Sequence, residues 1–267
     1  NRYSYTKYEP ILGRIAEVGE KTGANPLPDT KLDALLTTWY ASGTDAQITS
    51  TIYDKADLVQ VTNTAITNEQ QFYTSRKRVV ATIFRKIRYA SAAQYDAATH
   101  YSYDILGNAK TAWQENTRMK EADAATQGLK RMDYEFDLVA GKVNRALYQK
   151  NKGDQFIYEY KYDMENRITS ARTSRDGLVW QEDAAYKYYL HGPLARTELG
   201  RLKVQGTDYA YTLQGWLKYI NAPVINETTD ISRDGDPTLA GNTYKTVARD
   251  AMGYGISYFN GEYKPIY

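Results

Sequence analysis

Residues of the types that do chemistry are few and scattered in this chain. It has two histidines, His100 and His191, and no cysteine among 267 residues. In "THYSYDILGN", Ser102 and Asp104 follow His100 at i+2 and i+4, so on a strand all three share one face. An acyl-transfer relay instead needs a nucleophile, a base and an orienting carboxylate that converge. His191, in "LHGP", has the setting of a turn residue. The absence of thiols excludes disulfides and thiol nucleophiles within the chain. Two histidines without cysteine do not make a zinc-thiolate or His-rich metal centre.

The acidic stretch "DISRDGDPTLAG" offers Asp230, Ser232 and Asp234 at positions 1, 3 and 5 of a calcium-type loop, with Gly235 at position 6. Position 12 is Gly241, where such a loop needs a bidentate Glu. Asp230, Ser232 and Asp234 are therefore an incomplete calcium set, and a solvated loop accounts for them. "SRDGLVW" (174–180) falls one residue short of a sialidase-type Asp box, and a tight turn at Asp176–Gly177 explains it. Arg76, Lys77, Arg78, Arg85, Lys86 and Arg88, with Phe84 and Tyr89, form a basic run that could meet phosphates. Apolar residues interrupt it, and the whole chain carries a formal charge of only +2. A strand with paired charges is expected there, with no nucleic-acid partner. Trp39, Trp113, Trp180 and Trp216 could stack on glycans, against the simpler role of aromatic ladders between strands. None of these sets converges on a reaction, so the expectation is a protein that is not an enzyme and uses no cofactor.

The elements that would position these residues announce themselves through tyrosine, with 26 Tyr against 5 Phe. Tyr joins a large apolar body to a polar tip and suits a half-buried sheet surface. Apolar residues make up 42% of the chain, slightly below the roughly 45–50% of ordinary globular domains. No run approaches the ~20 apolar residues of a membrane-spanning helix. The chain opens "NRYSYTKYEP", without an initiator Met or a leader pattern, which suggests a portion of a longer polypeptide.

"FIYEYKYDMENRI" (156–168) shows the underlying unit. Phe156, Tyr158, Tyr160 and Tyr162 alternate along a predicted strand. Asp163 then opens a turn by accepting bonds from backbone amides ahead, and Asn166 suits a left-handed conformation. The aromatic–x–aromatic–Asp unit recurs as Tyr101–Tyr103–Asp104, Tyr134–Phe136–Asp137 and Tyr160–Tyr162–Asp163, with turn residues Gly107, Gly141 and Asn166. Degenerate copies are "YSYT" (3–6), "TIYD" (51–54), "YKYY" (186–189) and Tyr209–Tyr211 with Gly215. From Asp104 onward the fourth positions lie 33, 26, 26 and 23 residues apart. Outgoing strands are predicted at "KVNRALYQ", "RITSARTS", "LARTEL" and "WLKYINA". Residues 17–33 read as loop, 114–131 as a surface helix or long loop, and 222–243 as the least structured stretch. A degenerate region (1–98) thus precedes a clear array (99–267), as one continuous segment without a firm boundary.

These residues carry a resemblance. "YSYDILGN", "YKYDMENRI" and "YAYTLQGWL" resemble the YD repeats of Rhs-type proteins, insecticidal toxin-complex subunits and teneurins. "YYLHGPLARTELG" and "SYFNGEYKPI" are similar to large Bacteroidota-type members. The resemblance implies an all-β array of hairpins forming a curling antiparallel sheet, part of a hollow shell. It further implies a secreted or cell-surface bacterial protein whose wall encloses or presents a C-terminal effector domain. The implied partners are other repeats and that domain of the same polypeptide, together with bacterial export machinery. Self-cleaving members end their repeats in a DPxG-like string, which "GDPTLAG" (235–241) does not match. A cell-surface adhesin binding glycans on a Tyr/Trp-rich face is the alternative.

Overall fold

The computed structural model describes residues 2–24, 33–54, 66, 77–122, 128–226 and 228–259. Fifteen strands account for nearly half of them. They are β1 (Arg2–Tyr8), β2 (Ile15–Thr22), β3 (Thr44–Tyr53), β4 (Val79–Ile87), β5 (Ala97–Tyr103), β6 (Ala109–Asn116), β7 (Leu129–Phe136) and β8 (Val143–Tyr148). Then come β9 (Phe156–Tyr162), β10 (Ile168–Ser174), β11 (Gln181–Tyr188), β12 (Leu194–Leu199), β13 (Gln205–Tyr211), β14 (Leu217–Ile220) and β15 (Tyr254–Gly255). Helices are short: α1 (Asp33–Ala41) and α2 (Thr117–Ala122). Among the described residues no helix is long and apolar enough to cross a membrane. The fold is all-β, as expected.

The chain forms two compact units, Asn1–Glu135 with Leu147–Gly153, and Phe136–Ala146 with Asp154–Tyr267. In the first, β1 to β7 pair antiparallel in sequence order. In the second, β9 to β15 do the same. The four predicted outgoing strands appear as β8, β10, β12 and β14.

Apolar burial is concentrated in the first unit. Ile66, Ala81, Ile83, Ala98 and Trp113 form one cluster, and Tyr5, Ala24 and Trp39 another. Tyr3 meets Trp39 edge-on at 5.6 Å, a favoured aromatic geometry. Tyr5 lies flat over Gly19, where a Cβ would sit 2.7 Å from the Tyr5 hydroxyl.

Two expectations need correction. Residues 17–22 are strand, not loop. Their inward face is Glu17, Gly19 and Lys21, and ion pairs replace the apolar alternation that would have marked it. Lys21 is buried, paired with Asp45 and donating to the Ser42 carbonyl at 3.1 Å. The copy placed at 3–6 is also displaced: the first turn starts at Glu9, whose N–H reaches the Arg14 carbonyl at 2.8 Å. The expected basic run likewise resolves into strand, with β4 carrying Arg85 and Lys86. Arg85 is buried and donates to the Gln94 and Ala92 carbonyls at 2.9 and 2.7 Å. Arg76 lies outside the described residues.

Candidate functional site

One turn recurs at the ends of six incoming strands, β1, β5, β7, β9, β11 and β13. The backbone N–H of Asp104, Asp163, Tyr189 and Thr212 meets the carbonyl four residues on, at 2.8–3.0 Å, and Asp137 and Glu9 do so over five. Where the residue is Asp, its carboxylate takes up amides that the turn leaves open. Asp104 accepts from Gly107 and Asn108 at 2.6 and 2.8 Å, and Asp137 from Val139 and Ala140 at 2.9 and 2.6 Å. Asp163 accepts from the Glu165 and Arg167 amides at 3.0 and 2.9 Å, and from the Arg167 side chain at 2.7 Å. Gly107, Gly141, Asn166 and Gly215 all have positive φ, 62° at Asn166, the conformation Gly or Asn tolerates best. Burial would raise the Asp104 carboxyl, but its Asn108 and Gly107 bonds outweigh that and hold it below the ordinary range.

A bulge follows five of these turns and also the β3–β4 connection. Tyr8 faces Ile15 while Lys7 faces Glu17, so Ala16 is passed over in the outgoing strand. The same single-residue skip occurs after Val79, Ala109, Ile168, Leu194 and Leu217. Bulges of this kind re-aim the side chains beside them. Here they accompany a latch. The last Tyr of an incoming strand, and likewise Tyr258 just beyond β15, donates its hydroxyl to the carbonyl of the residue that opens the neighbouring outgoing strand. Tyr53 reaches Ile15 at 3.0 Å, Tyr103 reaches Val79 at 2.6 Å, and Tyr162 reaches Val143 at 2.8 Å. Tyr188 reaches Ile168 at 2.8 Å and Tyr258 reaches Leu217 at 2.9 Å. The preceding residue covers the ring: Arg14 lies 4.0 Å from the Tyr53 centroid, Arg78 5.2 Å from Tyr103, and Arg167 4.6 Å from Tyr188. Trp216 does so for Tyr258, with centroids 5.0 Å apart. Phe136 has no hydroxyl to donate. Tyr211 meets Tyr189 edge-on at 6.4 Å, and the Tyr189 hydroxyl bonds the Tyr209 carbonyl at 2.7 Å. Sequence reading found the turn residues of this device but not its Tyr–Arg pairing. The readable signal was a basic residue straight after the turn Gly or Asn, as in "LGR" and "ENR".

The remaining strand aromatics are set differently. In β9, Ile157 and Glu159 are buried while Tyr158 is exposed. Glu159 is bridged by Arg145 at 2.7 Å and by Arg172. Burial would raise the Glu159 carboxyl, but these two guanidinium groups hold it below its usual range.

A second concentration of chemistry lies where residues 221–253 fold back on β12 and β13. Its centre is Arg196, 3% exposed. The guanidinium donates to Asp208 at 2.5 Å, Ser232 at 2.6 Å, both Asp234 oxygens at 2.8 and 3.0 Å, and Glu198 at 3.2 Å. The Tyr244 ring lies 4.0 Å from it. Gly206 makes room, since a Cβ there would collide with the Arg196 and Asp234 side chains. Of the residues proposed from sequence, Ser232 and Asp234 thus converge on a guanidinium. Asp230 instead accepts the backbone amides of Ser232, Arg233 and Asp234, each at 3.1 Å. Asp208 and Asp250, which sequence reading missed, stand beside it. Carboxylate oxygens of Asp208, Asp230 and Asp250 lie within 4.8 Å of one another, the described group best placed to hold a cation. A pocket of about 240 Å³ opens here, lined by Ile225 and Met252 on one side and Asp230, Asp234 and Asp250 on the other. Burial, then the charges of Asp230, Asp234 and Asp208, push Asp250 up to about 7. Such a carboxyl can exchange a proton near neutrality, and structural charge networks perturb carboxyls in the same way.

His100 is fully buried, with Nε2 3.4 Å from Glu115 rather than near Asp104. His191 stacks on Tyr189 in a turn, at 5.3 Å. Asp176 accepts the Leu178 and Val179 amides at 2.8 and 2.9 Å, around Gly177 at φ 75°.

No family model matches the chain, and no curated protein matches it. Solved structures do. A crystal structure of TcdB2-TccC3-Cdc42 is 15% identical with a TM-score of 0.48, covering 84% of this chain and 9% of that one. One of TcdB2-TccC3 is 16% identical with a TM-score of 0.48, covering 82% and 9%. The Tc holotoxin pore of Photorhabdus luminescens is 13% identical with a TM-score of 0.29, covering 82% and 12%. The chain therefore spans about a tenth of these neighbours' length, and likeness of this degree concerns the fold alone.

Proposed function

We propose that this chain is a wall segment of a large exported bacterial repeat protein. The wall would enclose or present another domain of the same polypeptide and do no chemistry itself. The observation that supports this reading is the latch: tyrosines from Tyr53 to Tyr258 tie one hairpin to its neighbour by the same bond. Such nearest-neighbour units build extended surfaces whose stability accumulates along the array. Enclosure is tested by limited proteolysis of the natural full-length polypeptide. Sequence beyond this segment should resist cleavage while the wall is folded and become labile once it is opened. Cleavage there at the rate of the isolated domain contradicts enclosure.

One observation favours a second reading. Trp216 and Tyr258 are 47% and 39% exposed and lie side by side, a surface on which a sugar ring could stack. Glycan binding lost in Trp216→Ala would support the adhesin. Trp39 and Trp113 are buried and give it no support.

A further inference from the structure

The walls of the pocket beside Arg196 are held together by one residue. Asn221 is buried, with φ 61°. Its side chain donates to the Met252 carbonyl and accepts the Asp208 amide, each at 2.9 Å, while its own carbonyl accepts the Ile231 amide at 3.0 Å. The pocket is therefore preformed, as ligand sites usually are. One wall is apolar, with Ile225 and Met252 standing exposed at its mouth. The other is acidic. Asp208 and Asp234 pair with Arg196, and Asp230 accepts backbone amides. Asp250 differs: its Oδ2 is buried and meets no hydrogen-bond donor among the described residues, a deficit that a ligand would make good. Aspartates at 208, 230, 234, 236 and 250 outnumber the arginines at 196, 233 and 249, so the surroundings are negative. Asp208, Asp230 and Asp250 each bring a carboxylate oxygen within 4.8 Å of the others. A point set among the three lies about 2.8 Å from each, the length of a charge-assisted N–H···O bond. A lysine ammonium offers three donors from one nitrogen, on a stem that packs against apolar surface.

We propose that this pocket is a docking site for a partner peptide that presents a lysine between apolar residues. The ammonium would sit among Asp208, Asp230 and Asp250, and the flanking side chains would cover Ile225 and Met252. Charge complementarity and the apolar rim together select this occupant, since a bare inorganic cation would leave the rim uncovered. The inference depends on neither reading given above.

The test uses the 267-residue chain and a fluorescently labelled Gly-Leu-Lys-Leu-Gly peptide, followed by anisotropy. Saturable binding is expected. Replacing the peptide's lysine by glutamine should weaken it about tenfold or more, because hydrogen bonds between charged groups are the stronger kind. Asp250→Asn should weaken it about tenfold, and Met252→Ala severalfold. Neither residue is fully buried, so both variants are expected to fold, which circular dichroism checks. No saturable binding overturns the proposal, as does equal affinity for the lysine and glutamine peptides or for the parent chain and Asp250→Asn. Competition by n-butylammonium at the peptide's own affinity would rule out a peptide as the occupant. Saturable binding of calcium chloride alone, lost in Asp250→Asn, would overturn it in favour of a metal site.

Discussion

The hairpin at 156–174 and the fold-back at 221–253 use the same residue, aspartate, to opposite ends. Asp163 sits at the surface and accepts backbone amides two and four residues on, so its partners are local. Asp234 is 2% exposed and reaches Arg196, 38 residues away in sequence. The first arrangement shapes a turn that would form in much the same way in any neighbouring repeat. The second holds an irregular segment against the sheet through buried charge, where there is little apolar surface to do so. Local bonds make the array regular, and long-range charge pairs decide where the chain departs from it.

The sharpest way to break this contrast is Arg196→Met. It leaves Asp208 and Asp234 buried without their shared counter-charge, a change that typically costs about 3–5 kcal/mol. Amide exchange should accelerate across 221–253 while 156–174 keeps its protection. Uniform loss across both regions would show that the two are not separable. A smaller effect is expected for Tyr162→Phe, which removes one latch bond at 2.8 Å. Urea unfolding should register a loss of about 1 kcal/mol. Smaller still is Asp163→Ala, because the bonds it removes are local and lie in a partly exposed turn. Thermal melts should fall by less than in Tyr162→Phe, and no activity should be lost with it.

Two acids around the fold-back, Asp250 and Glu198 of β12, should also respond oppositely to pH. Asp250 holds its proton up to about 7 when folded, against about 4 for an unfolded Asp. Between those values the folded state binds more protons, so this group makes stability fall as pH rises. Asp250→Asn should remove that slope. Glu198 behaves in the other sense. Burial would raise it, but bonds from Lys187 and Lys203 hold it below its ordinary range. Its contribution is full above the unfolded value near 4.3 and is lost as pH falls through the folded one. Urea midpoints measured from pH 3 to 8 in the parent chain and Asp250→Asn separate the two slopes.

Much of the fold was legible because its signals are local. Alternating aromatics mark strands such as β9, and Asp with Gly or Asn marks the turns at 104–107 and 163–166. The strand at 15–22 was not legible, because Glu17 and Lys21 fill inward positions as ion pairs, half-buried at Glu17 and buried at Lys21. The latch was half legible. Tyr162 could be placed on a strand from its spacing, but its pairing with Val143 depends on cross-strand register, which no single strand encodes. The Arg196 cluster was scarcely legible at all, since its partners at 208, 232 and 234 come from other elements. "DISRDGD" advertised oxygen ligands, and nothing nearby in sequence announced the guanidinium that meets two of them.

The repeated latch is the bond that joins hairpin to hairpin, and one experiment tests it directly. Tyr53, Tyr103, Tyr162, Tyr188 and Tyr258 are each changed to Phe, with Tyr186→Phe as a comparison two residues before a latch position, and unfolding free energies are measured. Losses near 1 kcal/mol at each latch tyrosine, and distinctly less at Tyr186, are what a wall built by repeated neighbour bonds predicts. Equal effects at Tyr186 and the latch positions, or none at any of them, would contradict it.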